Sequence, residues 1–121
     1  MAVIIGLNHQ LIEKICNNYN GAGIVVAANY NSKNQIVISG SPNAVESVMK
    51  YSKKMGAKLT SVLNVSGAFH SPLMKPAREK LAEVINSIQI SKMNYPIIAN
   101  VNLKKVKDSK DIKNSILEKL E

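Results

Sequence analysis

Of the 121 residues, one is cysteine, one is arginine, none is tryptophan and five are aromatic. A single thiol, Cys16, excludes an internal disulfide and makes a reducing compartment the simplest home. Cys16 falls four residues after Ile12 on the apolar face of a predicted helix, so it reads as a small buried hydrophobe rather than a reactive thiol. No apolar run approaches the ~20 residues that span a bilayer. The opening stretch Met1 to Gly6 has no basic n-region and does not read as a secretion signal. The near absence of arginine also qualifies the net charge of +8. Such a charge suits nucleic acid, a membrane surface or an anionic substrate. Yet 15 of the 16 basic residues are lysine, and arginine is the side chain suited to forked phosphate and base contacts. Many lysines scatter along helices as a solvated face, and the 14 asparagines beside them fit compositional drift in an AT-rich genome. Neither a nucleic acid nor a membrane is therefore expected as partner.

The hydrophobic share, 45%, is ordinary for a globular chain. Ala2 to Gly6 reads as a buried strand, and Asn8 to Tyr19 carries Leu11, Ile12, Ile15 and Cys16 at helical spacing. Asn20-Gly21 stops that helix. Ile24 to Ala28 and Gln35 to Gly40 read as a hairpin joined by the polar segment Asn29 to Asn34. Ser41-Pro42 opens a second helix, striped by Val45, Val48 and Met49 and ended by Gly56. Lys58 to Val65 reads as a fourth strand. The order β-α-β-β-α-β predicts an α+β, ferredoxin-like subdomain over residues 1–62.

Residues 63–121 do not repeat this pattern. Leu73 to Ile88 reads as a helix with Pro76 in its first turn, Ile97 to Val101 as a strand, Lys104 to Lys110 as a basic loop, and Asp111 to Leu120 as a last helix. One strand between two helices cannot satisfy its own backbone. This half is expected to be an incomplete α/β (helix-strand-helix) piece of a larger hydrolase-like subdomain, loosely packed or covered by a second copy of the chain.

Chemistry concentrates in Val65 to Met74, VSGAFHSPLM, where a histidine stands between a strand end and a helix start. Ligands of open α/β sheets bind beyond strand ends, and a histidine there can take and return a proton. This stretch, with Asn29-Tyr30-Asn31-Ser32, QIVISG from Gln35 to Gly40, Gly56-Ala57-Lys58, Pro76-Ala77 and Asn100-Val101, resembles the malonyl-CoA:acyl carrier protein transacylases of type II fatty acid synthesis. It is also similar to the acyltransferase domains of polyketide synthases.

The resemblance implies an acyltransferase that moves malonyl from CoA to the phosphopantetheine arm of acyl carrier protein by a ping-pong route. It implies no metal and no cofactor, the CoA thioester being the substrate. His70 would be the general base of a serine–histidine pair and Phe69 would line the acyl pocket, crowding an α-methyl group. Asn29, Asn31 and Lys58 fall at positions near the CoA or carrier arm. A cytoplasmic setting in a bacterium follows, or a plastid or mitochondrial matrix in a eukaryote.

Departures from the family pattern shape the expectation. No Gly-x-Ser-x-Gly elbow occurs in the chain, and Ser39, at a strand end, is not an elbow. The family's oxyanion-hole glutamine and its malonyl-binding arginine have no counterpart; Arg78 is a poor substitute. Lys119 stands where the family often has a histidine-orienting glutamine, and Leu59 where some members carry a second basic residue. Without its nucleophile a covalent acyl-enzyme cannot form, so the chain alone is expected to be an inactive central portion of the enzyme.

Other features have blander readings. His9 reads as a solvated residue near a helix cap, and it and His70 lack metal-site spacing. Met49, Met55, Met74 and Met93 read as core filler. Lys104, Lys105 and Lys107 read as a solvated loop, with docking of an acidic carrier as the functional alternative. A basic nucleic-acid-binding or regulatory ferredoxin-like domain is the competing class, but base-stacking sheets need aromatics, and AVIIG and QIVISG contain none.

Overall fold

The computed structural model describes residues 1–119, which form four strands and four helices in two compact units, one Met1–Leu73 and one beginning at Met74. Leu120, predicted inward on the last helix, lies outside the described residues.

In the first unit the order is β1 (Ala2–Ile5), α1 (His9–Asn17), β2 (Val25–Ser32), β3 (Gln35–Gly40), α2 (Pro42–Lys54) and β4 (Leu59–Val62). The strands make one antiparallel sheet in the order β2-β3-β1-β4. Pairing of Ala2 with Ile38, and of Ile4 with Ile36, stacks aliphatic residues on one face. Against them pack Ile12 and Ile15 of α1 and Val45 and Val48 of α2. Ile4, Ile12, Ile36 and Ile38 are fully buried, each contributing roughly 1.5–3 kcal/mol relative to exposure.

The caps explain the helix starts. Asn8 Oδ1 accepts from the Leu11 amide at 2.8 Å, satisfying a first-turn donor. Ser41 occupies the expected cap position of α2, but its hydroxyl does not cap the helix. It accepts instead from the Ile24 amide at 3.1 Å, while the Ser41 amide donates to the Ile24 carbonyl at 2.8 Å. These two bonds tie the start of β2 to the end of β3. Gly56, at φ +98°, follows α2 in the left-handed conformation expected of a helix stop.

Two strand expectations are corrected here. The segment Asn29 to Asn34 is not a turn, because β2 runs on through Ser32 and only Lys33 and Asn34 make the turn. Composition hid this: Asn29, Asn31 and Ser32 are turn-favouring types, yet the strand continues as an edge with solvent on one side. β4 is shorter than Lys58 to Val65, spanning only Leu59–Val62, because it is the other edge and pairs only with the four residues of β1. Met55 is 45% exposed rather than core filler, while Met49 packs against the core.

Cys16 is buried, and its thiol is pushed up to about 11 by desolvation and, secondarily, by the charge of Glu13. Iodoacetamide at neutral pH should leave the folded chain unmodified and should label it fully in urea, because the thiolate is the nucleophile. Labelling of the folded chain at the rate of a free thiol would contradict this burial.

The second unit contains α3 (Lys75–Ser87) and α4 (Ser109–Glu118). The predicted helix from Leu73 starts later because Pro72–Met74 forms a 3-10 turn. Asp108 caps α4 by accepting from the Asp111 amide at 2.9 Å, and Asp111 accepts in turn from the Lys107 amide. Lys113 Nζ donates to the Asn86 and Ile88 carbonyls at 3.1 and 2.7 Å, placing a cation on the carbonyl end of α3. The strand predicted at Ile97 to Val101 does not form. A single bridge, Ile98 with Lys105, is all that remains, closed by Ala99 and Val106 amides donating to the Lys104 and Ile97 carbonyls. The segment turns back on itself because the described residues offer it no neighbouring strand. Ile85, Ala99, Val106 and Leu117 are the unit's buried apolar residues, whereas Tyr95, Ile98 and Leu103 are at least 70% exposed.

Candidate functional site

After β4 the chain leaves the sheet beside β1, where the Leu63 amide donates to the Met1 carbonyl at 3.0 Å. Ser66, Gly67 and Ala68 then border a recess of about 500 Å³ together with Met1, Gly40 and Pro42. Among the described residues lining it, Glu46 is the only charged side chain. Phe69 and His70 form the turn that follows. His70 has φ +56°, one of two non-glycine residues described in the left-handed region. That conformation disfavours L-residues by roughly 1–2 kcal/mol. Ser71 offsets the strain: it is fully buried, and its Oγ donates to the Ala68 carbonyl at 2.6 Å, closing the turn. The imidazole is thereby displayed at a strained, pinned corner, half-buried. Among the described residues it makes no hydrogen bond.

The other expected site residues do not gather around His70. Lys58 precedes β4, and its amide donates to the Ile5 carbonyl at 2.8 Å. Ser32 pairs with Gln35, Gln35 with Ile5, and Ile5 with Leu59. Asn31 and Lys58 thus stand at the Ile5 end of the sheet, while the His70 segment departs from the Met1 end. β1 separates these ends by four residues, about 10 Å at ~3.3 Å per residue. Asn29 lies between them, paired with Val37, which pairs with Val3. Asn29, Val37 and Val3 share the sheet face turned away from the helices, since the residues paired on either side, Ile38 and Ile36, face the core. Phe69 is 36% exposed next to His70. Gly6, at φ +100°, leaves room for the Lys58 stem: a Cβ there would stand 2.7 Å from Lys58 Cγ.

Serines near the turn are not nucleophiles. The Ser71 hydroxyl is committed to Ala68, and Ser39 is fully buried within β3. Arg78 lies on α3 and Lys119 caps the end of α4, both within the second unit. His9 is not the solvated residue expected. Its Nε2 bonds the Ser32 carbonyl, so that nitrogen carries the proton, and its ring meets Tyr30 edge-on at 5.0 Å.

Two functional contributions escaped sequence reasoning: Ser71 as the pin of the histidine turn, and Tyr30 as the anchor of β2. Tyr30 Oη donates to Glu13 Oε1 at 2.6 Å. That bond to a carboxylate, aided by partial desolvation and the charge of Glu13, raises the phenol to about 12. A donor bonded to an anion favours the protonated form, so its contribution to stability is complete below pH ~10 and fades as pH rises to about 12. A tyrosinate absorbance titration should therefore show one phenol ionising well after an ordinary one, and Tyr30→Phe should remove that late component. A wild-type titration with every phenol near 10 would contradict the geometry.

The sequence model of the acyl transferase domain matches residues 8–119. The chain is 40% identical over 121 residues to the malonyl CoA-acyl carrier protein transacylase of Bacillus subtilis, covering 99% of this chain and 38% of that protein. The solved transacylase of Coxiella burnetii superposes with a TM-score of 0.91 at 38% identity, over 98% of this chain and 38% of that one. A malonyl-transacylase solved in complex with its type II polyketide acyl carrier protein also gives a TM-score of 0.91, at 36% identity, over 98% of this chain and 38% of that one. The chain thus spans a little over a third of the length of these relatives, with the strained histidine turn inside the shared region. On a match that runs over nearly its whole length, this chain belongs to the acyl transferase domain family.

Proposed function

We propose that this chain is the histidine-bearing portion of a malonyl-CoA:acyl carrier protein transacylase and supplies the general base of that reaction. The observation that carries the reading is His70 held left-handed by the Ser71–Ala68 bond, in a chain 40% identical to such an enzyme. Backbone strain of this kind persists where the surrounding structure over-determines it, often at functional sites.

In this reading residues 1–62 are the small, ferredoxin-like subdomain and residues 63–121 belong to the larger α/β subdomain. The CoA arm runs along the sheet face turned away from the helices, its phosphates toward Lys58 and Asn31, its amides past Asn29, and its thioester toward His70. A lysine at the phosphate end acts as a flexible point charge. Phe69, beside His70, closes the acyl end and disfavours an α-branched acyl group.

The chemistry needs a serine from a Gly-His-Ser-Leu-Gly elbow. His70 takes the serine proton as the oxygen attacks the malonyl thioester, and gives it to the departing CoA sulfur. In the second half it takes the proton of the carrier's pantetheine thiol as that sulfur attacks the acyl-enzyme, then returns it to the serine oxygen. No metal or cofactor takes part. Malonyl-CoA and acyl carrier protein are the partners, in a bacterial cytoplasm or in a plastid or mitochondrial matrix. A nucleic-acid role is not favoured: β1 and β3 offer AVII and QIVISG, with no ring on which a base could stack.

The test mixes this chain with a polypeptide from a relative that carries the elbow and measures malonyl transfer to carrier protein by mass spectrometry. Neither piece alone should transfer, and the mixture should. Robust transfer by this chain by itself would overturn the reading.

A further inference from the structure

We propose that Tyr30 is a positioning residue: held by Glu13 and His9 of α1, it sets where Asn29 and Asn31 of β2 stand toward the CoA arm. The proposal rests on the substrate reading above and extends it from the asparagines to what holds them.

The need for such a device comes from β2 itself. Eight residues of β2 face six of β3. The register skips twice, between Ala27 and Asn29 and between Tyr30 and Ser32, leaving Ala28 and Asn31 without a partner. At a bulge the ladder is locally broken and the chain is re-aimed. Backbone pairing alone therefore does not determine the direction of Asn31, the bulged residue, and Asn29 is held only by the two-residue paired stretch between the bulges.

Side chains of α1 supply the missing restraint. His9 and Glu13 are four residues apart, on one face of the helix. Glu13 accepts from the Tyr30 hydroxyl at 2.6 Å, and His9 meets the Tyr30 ring edge-on at 5.0 Å. His9 also bonds the Ser32 carbonyl. The two neighbours of the bulged Asn31 are thus both clamped from the helix. Asn8, by capping α1 through the Leu11 amide, fixes where the helix begins and so where His9 stands. Tyr30 pairs with Ile36, a core-face residue, and Asn29 with Val37 on the other face. One strand thus turns its anchor, Tyr30, to the helices and Asn29 to the opposite face.

The experiment follows the side-chain amide signals of Asn29 and Asn31 by NMR while CoA is titrated into the wild-type chain, Tyr30→Phe and Glu13→Gln. Backbone amide exchange is measured on the same samples. A hydrogen bond to a carboxylate is stronger than a neutral one, so losing it in Tyr30→Phe should speed exchange at residues 29–32 by about tenfold and weaken CoA binding by a similar factor. Exchange at the core residues Ile4 and Ile38 should not change. Glu13→Gln retains a neutral, weaker acceptor and should fall between wild type and Tyr30→Phe at residues 29–32 and in CoA affinity, with exchange at Ile4 and Ile38 unchanged, a graded local response that a general loss of stability would not produce. If CoA moves the asparagine signals equally in wild type and Tyr30→Phe, the clamp is irrelevant to binding and the proposal fails alone. If CoA leaves them unmoved in the wild-type chain, the substrate reading of these asparagines fails, and this proposal with it.

Discussion

His70→Ala, in the mixture of this chain with an elbow-bearing partner, is expected to reduce malonyl transfer by at least four orders of magnitude. General-base catalysis contributes roughly 10²–10⁴, and removing the histidine of a serine hydrolase costs on the order of 10⁶ in turnover, because nucleophile and base act as one unit. The loss should fall on the chemical step. Lys58, Asn31 and Asn29 lie along the sheet away from the histidine turn, so CoA affinity should change little. Single-turnover rates of acyl-enzyme formation, measured alongside CoA binding, separate the two effects. Retention of a tenth of the wild-type rate by His70→Ala would remove the imidazole from the mechanism. A large drop in CoA affinity would instead make His70 a binding residue.

Gly40→Ala should unfold or severely destabilise the first unit. Gly40 has φ +155°, and a Cβ built on it would lie 2.0 Å from the Ile24 carbonyl oxygen and 2.7 Å from Val25 Cα. These are backbone atoms, so no side chain can swing aside. The carbonyl that would be struck is the acceptor for the Ser41 amide, and the Ile24 amide donates to Ser41 Oγ. Relief of the clash therefore breaks the junction between β2, β3 and α2 at one point. Overpacking with backbone displacement typically costs 1–3 kcal/mol, and the two lost hydrogen bonds add roughly 1 kcal/mol each. Against a total stability of about 5–15 kcal/mol, a loss near 4 kcal/mol is a large fraction. Urea unfolding followed by circular dichroism measures it directly. A midpoint within experimental error of wild type would show that the strand crossing relaxes without penalty.

Gly40 also separates what pattern reveals from what contact decides. The run QIVISG announces a strand, and its bounds, Gln35 to Gly40, are those of β3. The reason for the final glycine, the Ile24 carbonyl just before the neighbouring strand and within touching distance, belongs to residues far apart in the chain. β2 teaches the same point. Its first half was legible from β-branched residues, but its second half, NYNS, has the composition of a turn. It stays extended because β3 pairs with it and α1 grips Tyr30. The predicted strand at Ile97 failed for the opposite reason: strong local preference met no neighbouring strand among the described residues, and one bridge was all that formed.

The sequence by itself determined the element order of the first unit, the helix faces that carry its core, and the histidine-bearing motif. Each rests on local chemistry: spacing of apolar residues, capping and turn residues, and a short run of specific side chains. Tertiary structure alone decided that Ser41 would staple a strand junction rather than cap a helix, that Ser71 would pin the turn presenting His70, and that Asn31 and Lys58 would stand at the far end of the sheet from that histidine. Those outcomes depend on strand register and on which backbone groups meet across tens of residues, and neither is written in the composition of any single segment.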